Sequence, residues 1–172
     1  MIENYIFEKL KASDLDTQLK LRNQINVRQA SFNKKIIAKS EHLKWYKEAS
    51  ISNDFDYYAL KHNDLMIGVG YGNDYSKKNK SLLWGFYIDS QIDSEIKYGS
   101  IIKYLLFEKL FKNKQVETIR CQVLFEFTWI KEWHERWGHT VDKTNYNEKY
   151  YNLSLKKETW KSIRDKIYNS KL

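Results

Sequence analysis

Three segments decide the fold: LLWGFYI at 82–88, GSIIKYLLFEKL at 99–110 and VETIRCQVLF at 116–125. The first is a strongly apolar run of strand length. In the second, Ile101, Ile102, Leu105, Leu106 and Leu110 fall on one side of a helix opened by Gly99-Ser100. Lys112-Asn113-Lys114 supply cations suited to its C-terminus. The third alternates as a strand. A strand, a helix and a strand in that order place the outer strands parallel, joined by a right-handed crossover.

Upstream, 56–61 and 65–71 read as strands joined across His62-Asn63-Asp64, a hairpin connection. With 82–88, reached through a Lys-rich loop, they predict an antiparallel meander. Before them come a short strand at 5–10 and a helix capped by Ser13-Asp14. That helix carries Leu15, Leu19, Leu21 and Ile25 through Asn26. A second helix follows Ser40, with Leu43, Tyr46 and Ala49 or Ser50 at helical spacing. Downstream, a helix over 128–137 stops at Gly138, strands follow at 141–146 and 150–155, and a polar helix starts at Glu158. The order predicts an α+β (mixed α/β) fold on one sheet, with residues 1–172 forming a single domain.

Aromatics make up 16% of the chain, a content that argues against disorder. The net charge of +8 favours polyanionic partners: nucleic acid, anionic lipid or a small phosphorylated ligand. The positive residues are scattered, however. Their densest group, Lys77, Lys78 and Lys80 with Asp74 nearby, reads as a solvated loop. The chain lacks the basic stripe or aromatic-strand motif of nucleic-acid-binding folds, so such a module stands only as the rival from another class. Cys121 is the single cysteine, which excludes an intrachain disulfide and predicts a reducing setting, with the thiol buried and inert in an alternating run. No basic-then-apolar leader and no membrane-length apolar run is seen, so a cytoplasmic location is expected.

The junction at Gly99 is the first candidate for chemistry. Unpaired N–H groups and the positive dipole end at a helix start make an anion site, and a glycine lets a pyrophosphate approach. Lys97 and Lys103 would add charge. His134 and His139 are five residues apart with no cysteine close in sequence, and no metal is expected.

The element order and three local patterns resemble the GNAT family of acetyl-coenzyme A-dependent N-acetyltransferases. Glu95-Ile-Lys97-Tyr-Gly99-Ser100 is similar to that family's pyrophosphate loop, keeping only its second glycine. Phe127-Thr-Trp-Ile130-Lys-Glu-Trp133-His134-Glu-Arg-Trp-Gly138 resembles the family's later helix, with His134 at the place of the tyrosine that protonates the departing thiolate. Leu21-Arg22-Asn23, Arg28 and Glu41-His42-Leu-Lys-Trp45-Tyr46 resemble the signature of one branch, which includes the amino-sugar acetyltransferase of the pseudaminic acid pathway.

The resemblance implies a mostly antiparallel, twisted central sheet flanked by helices, with acetyl-coenzyme A as cosubstrate. Coenzyme contacts are expected at Phe86, Tyr87, Ile88, Lys97, Tyr98, Gly99, Ser100 and Ile101. Arg22, Asn23, Arg28, His42 and Trp45 are expected on the acceptor side, with Arg22 and Arg28 able to grip a phosphate. The implied acceptor is a small-molecule amine, a nucleotide-linked 4-amino sugar first, with ribosomal-protein N-termini and polyamines as alternatives. A homodimer and a scaffold without activity also stay open. The chemistry needs no protein nucleophile: a neutral amine attacks the thioester, a backbone N–H near 86–88 steadies the oxyanion, and an acid protonates the thiolate. With a reference pKa of about 6.5, His134 would be partly protonated at neutral pH. The competing assignment places it at the edge of a core stripe of Trp129, Trp133 and Trp137.

Overall fold

The computed structural model describes residues 2–52, 56–92, 97–112 and 115–172. Among the described residues seven strands form one sheet: β1 (Ile6–Lys9), β2 (Asp56–His62), β3 (Leu65–Ser76), β4 (Ser81–Ile88), β5 (Thr118–Leu124), β6 (Thr140–Asn145) and β7 (Tyr150–Lys156). Their order across the sheet is β1-β2-β3-β4-β5-β7-β6. Every neighbouring pair is antiparallel except β4 with β5, joined through helix α4 (Tyr98–Lys112). The expected mixed α/β architecture, the β2-β3-β4 meander and the parallel crossover are all present.

Helices cover both faces of the sheet. α4 packs on one face with α5 (Thr128–Glu135) and α6 (Lys157–Lys171) beside it, around Trp84, Phe107, Trp137 and Trp160. On the other face α1 (Leu15–Asn23) and α3 (Lys39–Ala49) pack Leu15, Leu21 and Trp45 against Ala59, Met66 and Val69. β3 presents Gly68, Gly70 and Gly72 to α4, and these glycines meet Ile102, Leu106 and Leu110, a stripe at i, i+4 and i+8. A Cβ at Gly70 would lie 2.8 Å from Ile102 Cγ2, and one at Gly72 would lie 2.9 Å from Leu110 Cδ2. The missing side chains let α4 sit directly on the strand.

Three sequence expectations need correction. The first helix does not run through Asn26: it ends at Asn23, and α2 (Ile25–Gln29) starts after Gln24 turns to φ −58, ψ 143. Gln24 leaves the helix because its amide bridges the end of β4, donating to Asp89 Oδ1 at 2.7 Å and accepting from Ser90 N–H at 3.0 Å. Leu43 was placed on the apolar face of α3, yet it is 44% exposed while His42 is buried. The tryptophan stripe is not continuous core either. Trp129 is 65% exposed and only Trp137 is fully enclosed, because α5 stops at Glu135 and Trp137 turns inward from the following residues.

Gly138 supports that turn at φ +81, a left-handed conformation that a Cβ disfavours. A Cβ there would also lie 2.7 Å from Ile163 Cδ1 on α6. Gly138→Ala is expected to lower stability by about 2 kcal/mol, read as an earlier midpoint in urea unfolding. An unchanged midpoint would remove the turn from the features that fix α5.

Candidate active site

β4 and β5 are paired only where Ser81–Leu83 face Thr118–Arg120. Beyond that point β5 stays with β7 as far as Leu124, and β4 stays with β3 as far as Ile88. The two parallel strands therefore part. Along 84–88 the β4 backbone groups directed toward β5 have no ladder partner there, although amide groups need one. A cleft of about 630 Å³ occupies the wedge, lined by both strands and closed by Phe127, Ile130 and His134 at the start of and along α5. Phe86, Tyr87 and Ile88 lie along this edge. Their side chains alternate between the faces. Phe86 reaches Gly99 on α4, while the Tyr87 hydroxyl accepts from Gln18 Nε2 of α1 at 2.9 Å.

The first turn of α4 lies beside the cleft strand β4, where Gly99 approaches Phe86. The carbonyl of Lys97 accepts from the N–H groups of Ser100 and Ile101, so those of Tyr98 and Gly99 precede the first intrahelical acceptor. A recess of about 240 Å³ beside this turn is lined by Lys97, Ser100, Trp133, Arg136 and Trp137. Arg136 was missed in the sequence. It follows Trp133 by three residues, a spacing that puts both on one helical face. Tyr98 and Ile101, both expected at the coenzyme, have side chains buried with Leu60 and Ile67. Glu95 and Ile96, the first residues of the pyrophosphate-like pattern, lie outside the described residues, as do Asn113 and Lys114 of the basic helix end.

Lys103 does not add charge to that turn. It is fully buried, with Nζ 2.8 Å from His134 Nδ1 and 3.9 Å and 4.7 Å from the ring centroids of Trp133 and Trp137. The sequence did contain a signal. Position 103 shares the apolar stripe with Leu106, Phe107 and Leu110, and a charge on a buried stripe is the informative kind of exception. His134 is buried too. Burial first, then the Lys103 charge and His139, hold its pKa well below the usual imidazole value. At neutral pH the ring is neutral, not partly protonated as its reference pKa suggested.

His139 and Cys121 complete the cluster. The sulfur and one nitrogen of each histidine lie within 4.8 Å of one another, a trio that sequence spacing did not reveal. The Cys121 thiol is pushed up to about 12 by burial, so it keeps its proton. The trio lies beside Lys103, whose Nζ is 2.8 Å from His134 Nδ1.

On the opposite wall stand Arg22, Asn26, Phe32, Asn33, Tyr71 and Asn73. Arg22 Nη2 donates to the Asn33 carbonyl at 3.3 Å, whereas its Nη1 is buried without a partner. The other expected acceptor residues are not brought to the cleft. Asn23 clamps Ile37, donating to its carbonyl and accepting from its N–H, both at 2.9 Å. Arg28 donates to the carbonyls of Asn23 and Lys34. These bonds fold the 30–37 loop that carries the cleft wall. His42 stacks on Trp45 at 5.2 Å and bonds the Leu15 backbone, joining α3 to α1.

No family model and no curated protein matches the sequence. The fold, however, is shared with solved structures. The spermidine N-acetyltransferase of Vibrio cholerae, in complex with CoA and spermine, aligns at a TM-score of 0.84 with 12% identity, covering 92% of this chain and 98% of that one. An N-acetyltransferase from Staphylococcus aureus Mu50 aligns at 0.73 with 12% identity over 90% and 99% of the two chains. Salmonella typhimurium yncA, with its cofactor acetyl-CoA, aligns at 0.73 with 12% identity over 89% and 94%. At that identity the likeness establishes the fold alone, one shared with solved N-acetyltransferases.

Proposed function

We propose that the protein transfers the acetyl group of acetyl-coenzyme A to a primary amine by direct attack in a ternary complex. The parting of β4 from β5 carries this proposal: it opens a slot whose edge is unpaired strand backbone, with the start of α4 beside it and Arg22 among the lining residues. The pyrophosphate is assigned to the Tyr98 and Gly99 N–H groups with Lys97, Ser100 and Arg136 around them, and the pantetheine arm to the free edge of Phe86, Tyr87 and Ile88. Held against that edge, the thioester is attacked by the neutral amine, and an edge N–H receives the oxyanion. His134 is the acid for the thiolate. We treat residues 1–172 as one domain working in the cytoplasm.

The acceptor is best described as an amine that also carries an anionic group, of which a nucleotide-linked 4-amino sugar is our first choice. Arg22 is the only Lys or Arg among the described cleft residues, and no Asp or Glu lines the cleft among them. A polyamine such as the spermine bound by the Vibrio enzyme would bring several positive charges to a wall that offers none to oppose them. Ribosomal-protein N-termini remain the second choice, and a nucleic-acid surface the choice from another class.

A coenzyme-dependent thiol-release assay across UDP- and dTDP-amino sugars, peptides, polyamines and aminoglycosides tests the proposal. Release with an anionic amine supports it, and no release with any amine defeats it. Arg22→Ala is expected to raise the acceptor KM about tenfold, the worth of one lost charged hydrogen bond, with the KM for acetyl-coenzyme A unchanged. Equal effects on both constants would give Arg22 a structural role.

A further inference from the structure

The contact between Lys103 and His134 fixes more than packing. We take Lys103 as an ammonium group, which only donates, so that Nδ1 accepts in the 2.8 Å contact. The single proton of the neutral ring then sits on Nε2, the nitrogen left for the cleft that His134 lines. The indole faces of Trp133 and Trp137 hold the Lys103 cation in place inside the protein.

We propose, building on acetyl transfer as the activity, that Lys103 and His134 form a two-membered proton relay serving the coenzyme thiolate. His134 is the donor, and Lys103 is a positioning residue that sets its tautomer and resupplies its proton. As the C–S bond of the tetrahedral adduct breaks, its electron pair goes to sulfur, and sulfur takes the Nε2 proton. Nδ1 takes a proton from Lys103 Nζ in the same step, so the ring stays neutral and Lys103 becomes a neutral amine. The acetylated nitrogen loses its extra proton to water in the cleft. Once the thiol has left, water reprotonates Nε2 and Nδ1 returns its proton to Lys103. One proton has moved from nitrogen to sulfur, and nothing is oxidised or reduced.

The surroundings favour this route over an imidazolium acid. Facing His134 are Lys103 from α4, His139 beyond α5 and Cys121 from β5, with Asp142 of β6 acting on the thiol. Two of the three opponents disfavour a charged ring, in line with the lowered pKa of His134. A neutral acid backed by a cation avoids placing two positive charges side by side.

Lys103→Met keeps the length of the side chain and suits the aromatic surroundings. Turnover at pH 8 is expected to fall at least about tenfold, with the KM for acetyl-coenzyme A within about twofold, since the proposed coenzyme contacts are left intact. The ratio of variant to wild-type turnover should climb as pH falls, because the variant's histidine can donate only as an imidazolium. The same factor at every pH, with a lower melting temperature, would reduce Lys103 to a structural role and overturn the relay. Unchanged turnover and profile would overturn it as well. An independent readout needs neither the variant nor turnover: nitrogen-15 NMR of the wild-type imidazole should find Nε2 protonated and Nδ1 bare between pH 6 and 8. The opposite tautomer, or an imidazolium, overturns the relay alone. Wild-type protein that releases no thiol with any amine overturns acetyl transfer itself.

Discussion

Replacing Gly99 with tryptophan should raise the Kd for acetyl-coenzyme A about a hundredfold while the protein stays folded, the equivalent of losing two charge-assisted hydrogen bonds. Gly99 lies in the first turn of α4, where the N–H groups of Tyr98 and Gly99 are the proposed pyrophosphate donors. A Cβ at this position would already lie 3.1 Å from Phe86 Cε2, on the strand that forms the cleft edge. An indole has no room on that side and must extend across the turn, where it covers the donors. Gly99→Ala is the control: it asks the Phe86 ring to shift slightly, so affinity should stay within about threefold, less than the worth of one such bond. Calorimetry decides the matter. Unchanged affinity in a folded Gly99→Trp protein would move the coenzyme away from this helix start.

His134→Gln should lower turnover about ten- to several-hundred-fold, the lower part of the range for general acid catalysis. The low end applies because a thiolate, with a free-thiol pKa of about 8.5, is already a fair leaving group. Glutamine is preferable to alanine here because its carbonyl can still accept from Lys103, whereas alanine leaves the buried lysine without that acceptor. Affinity for acetyl-coenzyme A should change little. His134 is held neutral, so the ratio of variant to wild-type turnover should stay flat between about pH 6.5 and 8.5, above the reference histidine pKa. This differs from what a solvent-exposed histidine would give, namely a loss that grows as pH falls. A stable His134→Gln enzyme with wild-type turnover would leave thiolate protonation to water and assign the histidine to packing.

Much of this frame could be read from residue order. The meander of β2, β3 and β4, the α4 crossover and the left-handed turn at Gly138 follow from period-two alternation, a helical stripe and a residue suited to such a turn. These signals are local, so they survive in the sequence. The cleft is different. It depends on β5 leaving β4 after Arg120, and nothing in the alternation of either strand marks where pairing ends. Gln24 illustrates the same limit. Helical spacing continues through it, and only a tertiary bridge to Asp89 and Ser90 draws it out of the helix.

Among the candidate residues, Arg22 lines the cleft and Gly99 lies in the first turn of α4, whereas Asn23, Arg28, His42 and Trp45 brace the neighbouring loop and helices. Motif proximity grouped them, but hydrogen-bond partners separate them. Asn23 uses both ends of its amide on one backbone unit, Ile37, leaving little for a ligand. Lys103 was the clearest missed signal, since its place on the apolar stripe carried more information than its charge.

The glycines beneath α4 bear on how the protein assembles. At Gly68, Gly70 and Gly72 the strand has no side chains with which to hold its neighbours on that face, and each glycine gives up more chain freedom on ordering than another residue would. The hairpin of β2 and β3 is therefore poorly stable alone and depends on a helix that begins more than twenty residues after β3 ends. Sheet and helix must form as one cooperative unit. Coenzyme held at the first turn of α4 would then be linked to the order of the central strands, and its binding would slow hydrogen exchange in β3, well away from any atom it touches.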